Sequence, residues 1–310
     1  MLVEEELARL SVKKDTLLTI GVFDGVHLGH KYLILQLKEH ARQQNLLSGV
    51  ITFRQHPQEV LSPQSKLPFL TDLSQRADLL KNEGIEAIIT LSFTRELAQL
   101  SARQFLSLLK KYIRMRGLVI GYDFALGRNK EGNTDALRAL GQEMGFSVIV
   151  VPPIIIDGEV VSSTAIRNAL AEGDMKRVQN LIERLFRLHG RVIIGAGRGM
   201  ELGFPTANLD IDPEQALPAE GVYATWTYID DKAYQSVTNI GYRPTFGDGE
   251  RTVEVYLLDY HTDLYEYELR IDIIERLRGE KKFDTVEELK KQITKDVEQG
   301  RTILNSRGRN

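Results

Sequence analysis

Apolar and polar positions follow two different rhythms along this chain. From Thr16 to Val151, short β-branched runs alternate with stretches in which apolar residues return every three or four positions. Thr16–Phe23, Leu47–Phe53, Glu86–Phe93, Leu118–Tyr122 and Phe146–Val151 read as strands. Lys31–Gln44, Leu73–Asn82, Ala102–Arg114 and Thr134–Met144 read as helices, and Ser101 with Gln104 forms a capping box that opens the third of them. This alternation predicts an α/β, Rossmann-like domain, a parallel sheet covered by helices with its ligands at the carboxyl ends of the strands.

The rhythm changes near residue 185. Ala165–Leu185 reads as helical, and the chain then turns to β runs at Arg191–Ile194, Gly221–Ile229, Tyr234–Ile240, Thr252–Asp259 and Glu268–Glu275. Turn signals at Asp230-Asp231, Gly247-Asp248-Gly249 and His261-Thr262-Asp263 separate them, as in a small, mainly antiparallel barrel or sandwich. A helix over Val286–Leu304 follows. The expected division is residues 1–185 and 186–310 with a helical connector, which agrees with a prior of about 150 residues per domain.

Composition narrows the chemistry. Forty Lys+Arg against 43 Asp+Glu leave a net charge of −3, so no basic surplus exists for non-specific phosphate-backbone contacts, and nucleic acid is not the expected partner. There is no cysteine, which removes thiolate catalysis, Cys-based zinc sites and iron–sulfur clusters. The acidic start MLVEEELARLSVKKD lacks the basic and apolar regions of a secretory signal. The most apolar stretch, Val148–Ile156, is broken by Pro152 and Pro153 and is too short to span a bilayer. A cytoplasmic protein without a membrane partner is expected.

Two segments carry candidate chemistry. Thr19–His30 reads TIGVFDGVHLGH: a strand, a turn punctuated by Gly21, Gly25 and Gly29, then a helix start with His27 and His30 three apart. A helix N-terminus offers unpaired N–H groups to an anion, and two imidazoles there can follow charge developing on a phosphate. Taken alone, the same residues read first as a turn and its caps. Neither G-x-G-x-x-G after the first strand nor G-x-x-x-x-G-K-[ST] occurs, which speaks against a dinucleotide dehydrogenase or a P-loop enzyme.

The second segment, Gly190–Leu209, reads GRVIIGAGRGMELGFPTANL. Gly195, Gly197, Gly199 and Gly203 suit a flexible loop that cradles phosphate with backbone N–H groups. Thr206 and Asn208 would point to one side of an extended segment, and such neutral oxygens suit Mg²⁺. A glycine-rich surface turn is the other reading. In Thr252–Leu257, alternation puts Thr252, Glu254 and Tyr256 on one face and Val253, Val255 and Leu257 on the other, so Glu254 alone reads as a charge on a solvated sheet face.

These segments resemble a known family. Gly21–His30 is similar to the signature of the nucleotidylyltransferase superfamily in the form found in bacterial bifunctional riboflavin kinase/FMN adenylyltransferases (FAD synthetases). Thr52-Phe53 with His56-Pro57, Gly121-Tyr122-Asp123-Phe124 with Gly127, and Val161–Arg167 resemble further elements of its first domain. Gly199–Asn208 resembles the riboflavin kinase hallmark, and Asn239–Gly247, Thr252–Asp259 and Asp263-Leu264-Tyr265 match later segments. Arg276-Leu277-Arg278 with Lys281-Lys282-Phe283 is also similar, although those charges alone read as a solvated turn. The chain departs from the family pattern at Arg54 and Gln55, before the His-Pro, and at Ala125 and Leu126, after the Asp-Phe; both segments border the flavin side.

The resemblance implies a bifunctional transferase that phosphorylates riboflavin to FMN in the C-terminal domain and adenylylates FMN to FAD, with pyrophosphate released, in the N-terminal domain. It implies His27 and His30 as catalytic residues there, with Gly21, Phe23, Asp24, Gly25, Gly29, Asp123, Ser163, Thr164 and Arg167 on the nucleotide and His56, Pro57 and Phe124 on the flavin side. In the kinase it implies Gly197, Gly199, Gly203, Pro205, Thr206 and Asn208 on ATP, Thr206 and Asn208 on Mg²⁺, and Glu254 as base. Riboflavin, FMN, FAD and ATP are the expected partners, with the chain a monomer or transient homo-oligomer. The competing expectations are a riboflavin kinase with weak FAD synthesis, a non-catalytic flavin-binding protein, and an adenylyltransferase acting on another mononucleotide.

Overall fold

The computed structural model describes residues 3–10, 12–62, 64, 67–195, 197–230, 232–242 and 251–307. The turn signals at Asp231 and Gly247–Gly249, and the expected family segment from Arg243 to Gly247, lie outside the described residues. The chain forms two compact units, Met1–Ser163 and Thr164–Asn310.

In the first unit, α1 (Val3–Ala8), β1 (Thr16–Ile20), α2 (Leu28–Gln43), β2 (Leu47–Phe53), α3 (Pro57–Leu61), α4 (Leu73–Asn82), β3 (Ala87–Leu91), α5 (Arg95–Gln99), α6 (Ala102–Ile113), β4 (Met115–Gly121), α7 (Thr134–Met144) and β5 (Ser147–Val151) follow one another. A short hairpin, β6 (Ile155–Ile156) and β7 (Glu159–Val160), comes next. All five main strands are parallel, in the order β3-β2-β1-β4-β5. The expected capping box at Ser101 and Gln104 is formed. Neighbouring residues on β1 feed opposite cores: Leu18 and Ile20 pack towards α6, while Leu17 packs with Ile34 and Leu37 of α2. The chain winds to one side from β1 to β3 and to the other from β4 to β5. The topological switch point, where such sheets bind ligands, is therefore between β1 and β4.

The first strand is shorter than its apolar run suggests. β1 stops at Ile20, and Phe23 and Val26 adopt left-handed φ of 54° and 36°. Such angles are costly for a bulky or β-branched side chain and persist only where the surroundings over-determine them.

The second unit opens with α8 (Ser163–Glu172) and α9 (Met175–Ile182); the first residue of α8 still belongs to the first unit. The single helix expected over Ala165–Leu185 is broken at Gly173, which has φ of 74°. These helices cluster with the barrel: the Ala219 N–H donates to the Leu170 carbonyl at 2.8 Å, and α9 packs on the strands that follow.

Then come β8 (Phe186–Ile193), α10 (Arg198–Leu202), β9 (Ala207–Ile211), β10 (Gly221–Ile229), β11 (Lys232–Tyr242), β12 (Arg251–Leu257), β13 (Glu268–Arg278) and α11 (Val286–Arg307). The six strands close into a barrel in the order β10-β11-β12-β9-β8-β13, with β13 returning to β10. Its interior is lined by alternate residues such as Val253, Val255, Ile271 and Ile273, with a belt of buried hydroxyls among them. Thr225 Oγ1 lies 2.7 Å from Ser236 Oγ and 2.8 Å from Thr238 Oγ1, so each hydroxyl satisfies its neighbour.

Helix α11 lies on the outside of the barrel, where Leu304 packs with Ala224, Trp226 and Ile274. Asp296 of α11, 3% exposed, accepts from Arg278 Nε at 2.9 Å and from Gln292 at 2.8 Å. Its second Arg278 contact, to Nη2, is 2.8 Å. The Arg278 side chain is 14% exposed, so its expected place on a solvated turn is corrected: β13 carries it under α11, where the buried carboxylate neutralises it. Among the described residues, no helix is long and apolar enough to cross a membrane.

Removing one partner of such a pair leaves an uncompensated buried charge. Asp296→Ala is expected to lower the stability of the barrel unit by about 3–5 kcal/mol, read as a lower denaturant midpoint with the strand signal retained in water. A midpoint equal to wild type would show that the pair does not hold α11.

Candidate functional sites

Each unit carries a cavity built by the elements just described. In the first, a cleft of about 310 Å³ opens at the switch point between the ends of β1 and β4. Gly21, Phe23, His27, Gly29, His30, Asp123 and Phe124 line it, together with Tyr122, Pro152, Pro153, Ile154 and Val160.

His27 caps α2: its Nδ1 accepts from the His30 N–H at 3.3 Å, and its carbonyl accepts from the Lys31 N–H at 2.9 Å. The two imidazoles stack with centroids 3.7 Å apart, and the Phe23 ring lies 5.0 Å from that of His30. A Cβ on Gly29 would come within 3.1 Å of the His27 ring and 3.2 Å of the Val161 carbonyl oxygen. Only glycine lets that ring, the helix start and the Val161 backbone approach so closely. Two nitrogen-rich rings at the positive end of a 16-residue helix, beside an open cleft, are equipped to hold a phosphate.

The strained turn before His27 is clamped from outside the cleft. Asp24, 4% exposed, accepts from the Leu70 N–H at 2.9 Å and the Thr71 N–H at 3.1 Å. The Gly25 N–H donates to Thr71 Oγ1 at 3.0 Å. The Val22 carbonyl accepts from Thr52 Oγ1 at 2.9 Å and from Arg76 Nη1 at 2.7 Å. Burial pushes the Arg76 guanidinium below its ordinary range, against the pull of Asp24, Asp72 and Glu59. Asp24 and Gly25 therefore do not line the cleft; what they do in this structure is fix the shape of the turn.

His56 and Pro57 are likewise not among the cleft-lining residues. His56 caps the short helix α3, its Nδ1 accepting from the Gln58 N–H at 3.1 Å. Ser163 stands at the first position of α8 and donates its hydroxyl to the Asp24 carbonyl at 2.9 Å. Thr164 and Arg167 lie further along that helix, in the second unit. The apolar wall of Pro152, Pro153, Ile154 and Val160 was not anticipated; the Pro-Pro pair directly after β5 is the signal that marks it.

The second cavity, about 610 Å³, lies on the outer face of the barrel and is partly covered by α11. Strand register builds its floor. Glu254 of β12 pairs directly with Asn208 of β9 on one side and with Asn239 of β11 on the other. Directly paired residues share a face, so Asn208, Glu254 and Asn239 form a polar row across three strands. Val253 and Val255 point into the barrel and Glu254 and Tyr256 into the cavity, as the alternation predicts. Asn239, Arg278, Glu280 and Phe283 also line this cavity and were not among the expected site residues.

The glycine-rich segment differs from the expected flexible loop. Arg198–Leu202 forms one helical turn, α10, bracketed by Gly197 and Gly203 with φ of 71° and 85°. Gly199 and Thr206 line the cavity; Gly197, Gly203, Pro205 and Asn208 do not. A Cβ on Gly199 would lie 3.0 Å from Thr206 Oγ1, and one on Gly195 would collide with the Asn208 amide, which is 7% exposed. Two neutral oxygens, packed under glycines that leave no competing side chain and beside the Glu254 row, fit the few protein ligands Mg²⁺ takes when it keeps waters and binds phosphate.

Comparison with known proteins identifies the family of each half. The FAD synthetase family model matches residues 10–165 and the riboflavin kinase family model residues 182–304. The chain is 37% identical over 287 residues to the bifunctional riboflavin kinase/FMN adenylyltransferase of Pseudomonas fluorescens, covering 92% of each. It is 36% identical over 286 residues to that of Escherichia coli K12, covering 92% of this chain and 91% of the other. A crystal structure described as a macrolide-efflux protein from Streptococcus pneumoniae superposes with a TM-score of 0.88 at 30% identity, covering 95% of this chain and 96% of that one. With two family models that together span most of its length and relatives matched over nine-tenths of it, the chain belongs to the bifunctional riboflavin kinase/FMN adenylyltransferase family.

Proposed function

We propose that this chain makes FAD from riboflavin in two ATP-dependent transfers, kinase chemistry at the barrel cavity and adenylylation at the cleft of the parallel sheet. Expressed on the sequence, the adenylyltransferase corresponds to residues 1–185 and the kinase to 186–310. The observation that carries the assignment is the register of Asn208, Glu254 and Asn239, which brings the Glu254 carboxylate to the floor of a cavity that Thr206 also lines.

In the kinase, Glu254 accepts the proton of the riboflavin 5′-hydroxyl as that oxygen attacks the γ-phosphorus of ATP; ADP leaves and FMN is formed. A carboxylate suffices because phosphoryl transfer asks little beyond positioning, charge compensation and a proton acceptor. Thr206 and Asn208 would hold Mg²⁺, which would supply charge compensation for the ATP phosphates. Gly197, Gly199, Gly203 and Pro205 shape the turn over the nucleotide.

In the adenylyltransferase, a phosphate oxygen of FMN attacks the α-phosphorus of a second ATP and pyrophosphate leaves, so no protein nucleophile is needed. His27 and His30 donate to the α-phosphate as its charge develops. Ser163, Thr164 and Arg167 hold the phosphate chain, Asp123 and the apolar wall take the nucleoside, and His56, Pro57 and Phe124 face the flavin. Asp24 and Gly25 act through the shape of the loop. We take the chain to work in the cytoplasm as a monomer or transient homo-oligomer on free flavins and ATP; the absence of cysteine and the near-neutral charge balance support this. A second reading, a kinase with weak FAD synthesis, draws on Arg54, Gln55, Ala125 and Leu126 on the flavin side.

Chromatographic separation of flavins after incubation with ATP and Mg²⁺ tests the assignments. Glu254→Gln is expected to lower FMN formation from riboflavin by about 100-fold or more while FAD still forms from supplied FMN. Unchanged FMN formation would remove Glu254 from the mechanism and favour a binding protein or another base.

The His27→Ala/His30→Ala variant is expected to convert riboflavin to FMN normally and then stall, with FAD formation down by roughly 100-fold or more. FMN without FAD from the wild-type chain itself would select the second reading.

A further inference from the structure

The glycine-rich segment folds into a turn that its own residues do little to hold. α10 is one helical turn of five residues, and its N-cap, Gly197, brings no side chain to the helix N–H groups. A single turn fixes many backbone angles for few hydrogen bonds, and flanking glycines add to the entropy that must be overcome. The bond that closes it runs from the Phe204 N–H to the Gly199 carbonyl, at 2.8 Å. Such a turn takes one position only where something outside it supplies an anchor.

That anchor is an aromatic pair. The ring of Phe204, the residue that closes the turn, meets the Tyr256 ring edge to face, with centroids 5.6 Å apart and planes at 81°. Both side chains line the barrel cavity. Tyr256 follows Glu254 by two residues on β12 and shares its face, a rise of roughly 7 Å. Across β12, Asn208 stands opposite Glu254 and Ala207 opposite Val255; the same register carried one residue past the ladder places Thr206 across from Tyr256. The ring that receives Phe204 therefore stands across from Thr206 and one strand repeat from the Glu254 carboxylate. An edge-to-face pair fixes direction as well as burying area, so it specifies where the turn sits.

We propose that Tyr256 is a positioning residue for the phosphoryl transfer: through Phe204 it tethers the glycine-rich turn to the strand that carries Glu254, and so holds the nucleotide in place relative to the base. The proposal rests on the assignment of riboflavin phosphorylation to this cavity. Tyr256 acts on ATP through the turn, whereas Glu254 acts on the flavin hydroxyl directly.

Initial rates of riboflavin phosphorylation by the full chain, with ATP and riboflavin varied in turn, test it beside backbone amide exchange of the ligand-free protein. Tyr256→Leu is expected to raise the KM for ATP roughly three- to tenfold, about the factor an edge-to-face ring pair is worth, and to leave the KM for riboflavin within about twofold. Exchange of the Phe204 amide is expected to quicken by a similar factor with no ligand present. Tyr256→Phe keeps the ring and most of the nucleotide affinity. Phe204→Leu is expected to give the same rise, and the double variant no more than either alone, because both substitutions remove one contact. Phe204→Leu also poses the question if Tyr256→Leu does not fold. A KM for riboflavin that rises while that for ATP stays unchanged overturns the proposal, since the ring would then serve the flavin. So do additive effects of the two substitutions, and so does unchanged exchange at Phe204. A wild-type chain that makes no FMN overturns the kinase assignment instead, and the exchange measurement still decides the tether.

Discussion

Closure of the barrel is the constraint on which the second site depends. Side chains on a strand alternate with period 2, so a slip of one residue between β11 and β12, or between β12 and β9, would turn Glu254 into the barrel and Val253 or Val255 out. Burying that carboxylate among apolar residues would be far costlier than any contact it now makes. The register is secured from both ends. Val253 and Val255 pack inside, and the Thr225, Ser236 and Thr238 hydroxyls satisfy one another only when β10 and β11 are correctly paired. Asn208, Glu254 and Asn239 are thus brought together by the pairing of three strands remote in sequence, with little help from local structure.

The first site is organised by a different economy of interactions. Its imidazoles sit on a helix start, but the turn that delivers the chain to that start contains two non-glycine residues at positive φ. What holds them is a set of hydrogen bonds from Leu70, Thr71, Thr52 and Arg76, all on segments that follow β2 or lie within it. Strain at the cleft-facing loop is offset by a buried clamp behind it. In the proposed function the two halves handle phosphate separately, one with a helix terminus and rings, the other with a carboxylate in a sheet row.

Much of this was legible in the sequence, and the parts that were not have physical causes. The strand–helix alternation of the first half and the period-2 face of Thr252–Leu257 depend on burial alone, which apolar spacing reports directly. Phe23 was assigned to a strand because its apolar neighbours extend that far; its left-handed backbone answers to Asp24 and Arg76, whose partners are tens of residues away. Ala165–Leu185 kept helical periodicity through Gly173, where close packing against Arg276 and a positive φ break it. Arg278 looked like a surface charge because Asp296, its buried partner, is on a helix 18 residues later. The polar row showed only its middle member, Glu254, with Asn208 known for other reasons. Asn239 became visible once the pairing of β11 with β12 was known.

The central claim is that one chain directs flavin substrates to attack two different phosphorus atoms of ATP at two separate sites. Incubating wild type and riboflavin with ATP labelled at either the γ- or the α-phosphorus, and separating the products, tests it most directly. Label from the γ position is expected in FMN and in FAD, and label from the α position in FAD alone, with unlabelled pyrophosphate released from α-labelled ATP. Label from the α position in FMN, or FAD that carries no α label, would contradict the account.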